Sequence, residues 1–386
     1  MSNRKKDWCN IILMGCLLAA GFLACLFHPQ KDVSVSERRT LHSFPELSLK
    51  TVYATKGAEN FMDRFEPYAA DQFPYREQFR TLHSAFSLYV MQKKEVNDIY
   101  YAENHILKTD LDIRDASVSW AVNRMEYIDQ RYIQNSRVYF SIIPDKNYYL
   151  SDPHKVPYLD FETFEAGFRK ETDAFCEYID LTDELQLDDY YRTDIHWRQE
   201  NLLPVVYKIE LAMDNSVEKS IKAKNVNGYF SDDFEVKEAE EPFYGVYYGQ
   251  GALPAAPDKL SYLYADYMDD CIVTCYDTGE AETIPMYDEK ALWGMDPYEM
   301  FLSGSKALIT IENPGCDNDR ELVLFRDSFG SSIAPLLAQA YHKVTLVDIR
   351  YIRPDVLDRF VDFDGVDVLF LYSTQVLNHC DGQFLQ

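Results

Sequence analysis

In the segment RTDIHWRQEN, residues 192–201, a carboxylate and an imidazole stand two positions apart: Asp194 and His196. In an extended backbone residues i and i+2 project to the same side, so the two can meet without help from the rest of the fold. A carboxylate on Nδ1 fixes the tautomer that leaves Nε2 able to accept a proton, and Trp197 can pack to hold the backbone in place. A second segment, LFRDSFGSS, supplies a partner: Ser328 is a hydroxyl that needs a base. It follows an apolar run (321–325) and precedes a helical one (331–341), so its Oγ can project at a strand-to-helix turn. The helix's backbone N–H groups would point at the same space, where a developing oxyanion would sit. Each segment alone has an ordinary structural use: Asp327 or Ser328 as a helix N-cap, Thr193 or Asp194 as another, His196 as a packed core residue. Together they would serve as nucleophile, base and orienter if the fold brings Ser328 within reach of His196.

The elements that must position them are legible as hydrophobic patterns. KALITIE (306–312), ELVLF (321–325), KVTLVDI (343–349) and VDVLFLY (366–372) read as strands. They alternate with helices at 331–341 and 353–363, the second opened by Pro354. RVYFSIIP (137–144) is a strand stopped by Pro144, and helices are expected at 116–132, at 161–179 and over 58–95 with a break at Pro74. Continuous apolar strands alternating with helices predict a parallel sheet covered on both faces. Open sheets of this kind bind ligands beyond the carboxyl ends of their strands. The residues falling there are Pro144–Asn147, Arg326–Gly330, Arg350 and Ser373–Thr374. Residues 215–300 lack long periodicity, are rich in Tyr, Gly, Asp and Pro, and read as a β-rich insertion.

Composition narrows the chemistry. With 386 residues, 47% of them hydrophobic, the chain can bury a substantial core. A net charge of −26 repels nucleic acid and anionic lipid. Arg4, Lys5 and Lys6 precede an uncharged run, Cys9–Phe27, that would span about 28 Å as a helix, close to a bilayer core. Basic residues before it place the N-terminus in the cytoplasm and everything after it outside. No good small-x-small cleavage site precedes His28, so an uncleaved signal anchor is expected. The expected order is a cytoplasmic stub (1–8), a transmembrane anchor (9–27), a linker (28–50) and an extracytoplasmic domain (51–386) containing the insertion. Cys176, Cys271, Cys275, Cys316 and Cys380 are odd in number and lack CxxC spacing, against a disulfide framework or a zinc site. No metal and no cofactor is expected: GxSxG, Walker, HExxH and GxGxxG motifs are all missing from the chain.

The motifs SERRTLHSFPELS, DQFPYR, IIPDKNYYL, RTDIHW, LFRDSFGSSIAPLLA, VTLVDIRYI and VLFLYSTQVLN, in this order, resemble those of the bacterial DHHW-motif proteins. These are similar to the SGNH-type alginate O-acetyltransferases of cell-envelope polysaccharide systems. The resemblance implies a three-layer flavodoxin-like α/β fold and a Ser–His–Asp site, with Ser328 as nucleophile, His196 as base and Asp194 as its orienter. Substrate or oxyanion contacts are expected from Arg350, Arg326 and Asp327. Ile195 stands where the family name has its first histidine, and RDSF replaces the GDS of ordinary SGNH esterases. The function expected is a membrane-anchored serine O-acyltransferase working on a cell-surface polysaccharide, its acetyl group supplied by a membrane-bound O-acyltransferase. Two alternatives stand beside it. One is an acetylesterase with the same triad. The other is a non-catalytic glycan-binding module using Tyr244, Tyr247, Tyr248, Tyr262, Tyr264 and Tyr267.

Overall fold

A helix without charges has nothing to turn toward water, and the uncharged run falls inside helix α1 (Asn3–Phe27). Its Trp8–Cys25 stretch is long and apolar enough to cross a membrane, and none of that stretch is buried. The computed structural model describes residues 3–48, 60–133, 136–152, 156–213 and 234–381. They fall into two compact units, one reaching to Val96 and including Tyr248–Pro254, the other formed by Asn97–Tyr247 and Ala255–Gln386.

In the first unit, strands β1 (Val33–Ser34) and β2 (Arg39–Thr40) pair antiparallel. Helix α2 (Phe61–Asp71) starts with a capping box between Asn60 and Asp63. The expected break at Pro74 is present: helix α3 begins at Arg76, after Tyr75 in the left-handed region (φ 59°), and runs to Ala85 before a π-turn to Val90. Residues 28–48, expected as a linker, are instead tied to these helices. The Gln72 side chain accepts from the Lys31 amide at 3.0 Å and donates to the Lys31 carbonyl at 2.8 Å. Buried Asp71 receives Arg39 at 3.0 Å and His42 Nδ1 at 2.7 Å. Charge pairing to a buried carboxylate therefore draws this segment into the unit, and the division of the chain falls after Val96 rather than at 50/51.

The second unit opens with a hairpin, β3 (Ile99–Ala102) and β4 (His105–Lys108), followed by α4 (Asp115–Tyr132) and β5 (Val138–Ile143). Next come α5 (Phe161–Thr172), β6 (Glu177–Tyr178), α6 (Leu203–Met213) and a two-stranded pair, β7 (Glu235–Phe243) with β8 (Asp258–Tyr264). The remaining elements are β9 (Ile272–Cys275), β10 (Glu282–Thr283), β11 (Leu308–Glu312), β12 (Glu321–Arg326), α7 (Ser328–Leu337), β13 (Lys343–Val347) and β14 (Asp367–Ser373). Eight strands form one sheet in the order β10-β9-β11-β13-β12-β14-β5-β6. It is parallel from β13 to β6, as the apolar runs predict, but β11, β9 and β10 are added antiparallel. The sheet is thus mixed, and Ile272–Cys275 belongs to it rather than to an insertion. Of the expected insertion, residues 215–233 lie outside the described residues, and β7–β8 form its β-structure.

Alternation along each strand sorts side chains onto two faces. Leu322, Leu324, Leu369 and Leu371 meet Val205 and Ile209 of α6 and Ile333 and Leu337 of α7. Val323, Phe325, Val368 and Phe370 meet Val122 and Met125 of α4 and Phe164 and Phe168 of α5. Three layers result. Helix α5 stops at Thr172, short of the expected 179, because the Thr172 carbonyl receives the Phe175 and Cys176 amides and the chain turns into edge strand β6. The helix expected at 353–363 is a 3₁₀ segment, Pro354–Arg359. Strand β12 lies in the middle: α7 leads from it to β13 on one side, and the chain returns to β14 on the other. That is a topological switch point, and the carboxyl end of β12 is where an open sheet leaves a crevice.

Candidate active site

Ser328 is the first residue of α7, directly at the carboxyl end of β12, and it is half-buried. Asp327 is the N-cap, its Oδ1 accepting from the Phe329 amide at 3.0 Å. Its other oxygen accepts from the Ser373 amide at 2.8 Å and the Ser373 hydroxyl at 2.6 Å, so one fully buried carboxylate clamps the ends of β12 and β14 together. The Gly330 amide also turns back, to the Asp327 carbonyl at 3.1 Å. Two of the helix's first amides are thus occupied by Asp327 rather than aimed at the space in front of Ser328. A side chain on Gly330 would overlap that of Arg326, so the turn is closed only by glycine.

His196 approaches from the loop after Tyr190. Its Nε2 lies 2.7 Å from Ser328 Oγ, and its Nδ1 lies 2.6 Å from Asp194 Oδ1. The pairing of Asp194 with His196 does not come from an extended stretch. Asp194 Oδ1 also accepts the His196 amide at 3.1 Å, which bends the backbone into a tight turn. Ile195 packs against the core and Trp197 is fully buried, its indole N–H donating to Ser332 Oγ at 2.8 Å. Helix α6 does not follow directly: a 3₁₀ turn, Gln199–Asn201, comes first. The structure therefore brings Ser328, His196 and Asp194 into one hydrogen-bonded chain.

Arg326 and Arg350 are placed elsewhere. Arg350 grips Asp348 with two bonds, at 2.9 and 2.6 Å. Burial alone would lower its pKa, but this pairing raises it above the ordinary arginine value. Arg326 is fully buried, donates to the carbonyls of Asp327 (3.4 Å) and Lys306 (3.3 Å), and stands 3.8 Å from Asp348. Burial pulls it below the ordinary value. Neither guanidinium hydrogen-bonds Ser328 or His196; with Asp348 they form a charged floor beneath the turn.

Four further supports hold the site. Lys146 is fully buried, and its Nζ donates to the carbonyls of Tyr191 (3.0 Å), Arg192 (3.4 Å) and Asp194 (2.7 Å). Burial brings it down to about 8, while burial pushes neighbouring Asp145 up to about 6. The Val246 amide donates to Asp194 Oδ2 at 2.8 Å, and a side chain on Gly245 would collide with the Thr193 carbonyl and Asp194 Cα. Tyr298 stacks on the His196 ring at 3.8 Å with 9° between planes, and its hydroxyl donates to Ser332 at 2.8 Å. Gln199 bonds the Ser332 carbonyl at 2.6 Å and the Leu263 amide at 2.8 Å. The sequence held one weak signal, a glycine amid tyrosines at 245, and a lysine in PDKN with no evident task. Of the six tyrosines expected as a binding face, Tyr247 and Tyr262 are buried and Tyr244 is the exposed one.

Solved structures with this arrangement of elements include a DHHW family protein from Eubacterium siraeum, 18% identical, covering 73% of this chain and 93% of that one with a TM-score of 0.55. The chain has the fold of a DHHW family protein. PatB1 of Bacillus cereus is similar too, at 18% identity over 74% of this chain and 99% of that one, with a TM-score of 0.57. The same protein with a sulfonyl adduct gives 19%, 75%, 98% and 0.55. No protein-family model matches the chain, and no curated protein does. In DHHW terms the motif here is Asp194-Ile195-His196-Trp197. Its first histidine position is occupied by a side chain that packs inward and takes no part in the hydrogen-bonded chain.

Proposed function

We propose that the chain is a membrane-anchored, extracytoplasmic serine O-acyltransferase with an SGNH-like domain, passing an acetyl group to a hydroxyl of a cell-surface polysaccharide. The observation that carries this reading is the hydrogen-bonded relay from buried Asp194 through buried His196 to half-buried Ser328, with contacts of 2.6 and 2.7 Å. The motif resemblance supplies the acetyl group and the polysaccharide, and helix α1 supplies the anchor. Ser328 Oγ attacks the acyl carbonyl as its proton passes to His196 Nε2, and Asp194 stabilises the imidazolium. In this reading the Ser328 amide serves as the main-chain oxyanion donor, since the Phe329 and Gly330 amides are taken up by Asp327. Collapse returns the proton to the leaving group and leaves an ester on Ser328. An acceptor hydroxyl, deprotonated by His196, then takes the acyl group and restores the serine. A membrane-bound O-acyltransferase fits the role of donor.

The test is intact-mass analysis of the full chain after an activated acetyl ester and after a sulfonyl fluoride, a reagent type suggested by the adduct on PatB1. Wild type should gain one adduct, and Ser328→Ala and His196→Ala should gain none, with acylation slowed at least ~10³-fold. A folded wild-type chain that reacts with neither reagent overturns the acyl-enzyme. Product analysis with a glycan acceptor then separates transfer from hydrolysis.

A further inference from the structure

Helix α3 is amphipathic in the reverse sense for a helix packed on protein. Arg76, Arg80 and Ser84 share one face, and that face turns inward. Arg76 meets Glu37 at 2.6 Å, Arg80 donates to the Gly249 carbonyl at 2.8 Å and Ser84 to the Gly251 carbonyl at 2.7 Å. Outward stand Phe79, Leu82, Phe86, Tyr89 and Val90, each between 50% and 65% exposed. Their spacing draws one continuous stripe along the helix and its π-turn. Phe73 and Tyr75 extend it at one end, and exposed Lys93 and Lys94 follow it at the other. Apolar stripes of this size on a folded unit mark a contact surface.

Chain length indicates what covers it. Gln72, at the junction of α2 and α3, is doubly bonded to Lys31. Lys31 lies four residues beyond the end of α1 at Phe27. Four residues reach at most about 14 Å. On the reading that α1 spans the bilayer, the junction with Phe73 and Tyr75 sits at headgroup level, where aromatic and basic residues collect and amphipathic helices lie in the plane of the interface. We propose that α3 and its π-turn are a second membrane contact, with Phe79, Leu82, Phe86 and Tyr89 buried in the headgroup–acyl boundary of the bilayer that holds α1.

The experiment places a photo-crosslinking p-benzoylphenylalanine at Leu82 or Phe86 of the full chain. It is reconstituted in nanodiscs of phosphatidylethanolamine and phosphatidylglycerol. The same probe at Leu18, within α1, and at exposed Lys259 gives the two reference levels. After irradiation, lipid adducts are counted by intact mass. Adducts at Leu82 and Phe86 near the Leu18 level and at least tenfold above Lys259 bear the proposal out. Lipid adducts at Leu18 with only background at Leu82 and Phe86 overturn it while leaving the anchor standing. Cross-links from Leu82 or Phe86 to protein overturn it in favour of a second copy of the chain. A Leu18 probe without lipid adducts removes the anchor and the proposal together.

Discussion

Lys146 carries no reacting atom, yet three of the carbonyls that shape the Asp194 turn converge on its ammonium. Replacing it by methionine would take the donor from the Tyr191 and Asp194 carbonyls, while that of Arg192 keeps the Ile106 amide at 2.7 Å; the cost is roughly 1–3 kcal/mol, and Asp194 can drift. A displacement of about 1 Å can cost ~10²-fold in rate. Lys146→Met should therefore acylate about a hundredfold more slowly while still folding, read by stopped-flow acylation beside a melting curve. Its pH signature is distinct. The folded pKa of about 8 lies below the unfolded value near 10.4, so between them the folded chain holds fewer protons than the unfolded one. This group's contribution to stability rises with pH across that window, even as its third hydrogen bond is lost. Wild-type acylation should fall above pH 8 without a matching fall in melting temperature, and that limb should vanish in Lys146→Met. A falling limb retained in the variant would sink the assignment. That Asp194, His196 and Ser328 could meet was suggested by their residue types, although the turn that joins Asp194 to His196 is not the extended stretch expected. Lys146 and Tyr298 were not legible in the sequence, because one acts on backbone carbonyls and the other through a ring stack with a residue far along the chain.

The same division holds for elements. Strands β12, β13, β14 and β5 were legible because burial on both faces writes an apolar residue at nearly every position. Strand β9 was legible only as a short strand of the insertion, and β10 not at all, because a four-residue and a two-residue strand joined antiparallel carry too little pattern to assign to the sheet. The turn Tyr244–Tyr247 was hidden in a tyrosine-rich stretch, yet it braces Asp194 through the Val246 amide. Its approach is so close that only glycine fits at 245. Gly245→Ala should push the turn off Thr193 and Asp194, breaking the Val246 bond. The expected outcome is a loss of acylation of at least tenfold with far-ultraviolet circular dichroism unchanged; wild-type rates in this variant would show that the brace has no bearing on the site. Gly167, where a side chain meets nothing within 4 Å, is the matched control, and Gly167→Ala should be silent.

At the scale of the molecule, residues 28–48 matter because they were expected only as a linker and are instead bonded into the first unit. Asp71 lies in the first unit with Arg39, His42 and Arg76 around it. The Arg39 hydrogen bond, ahead of the opposing effect of burial, holds its carboxyl well below the usual carboxylate range. A folded pKa below the unfolded value of about 3.9 means stability that is present above that pH and lost as the pH falls below about 4. A chain beginning at His28 keeps Arg39 and His42; one beginning at Thr51 leaves Asp71 with Arg76 alone. The loss should be roughly 2–3 kcal/mol, at the modest end for a buried carboxylate because Arg39 is itself about a third exposed. Because Lys31 and Glu37 leave with it, α2 and α3 should also lose their ties at Gln72, Arg76 and Arg80. Limited proteolysis should then cut the Thr51 chain within residues 60–90 and spare the His28 chain. The acid limb of unfolding, followed by circular dichroism, should move to higher pH in the shorter chain. Equal protection of both would mean that the helices stand without the hairpin.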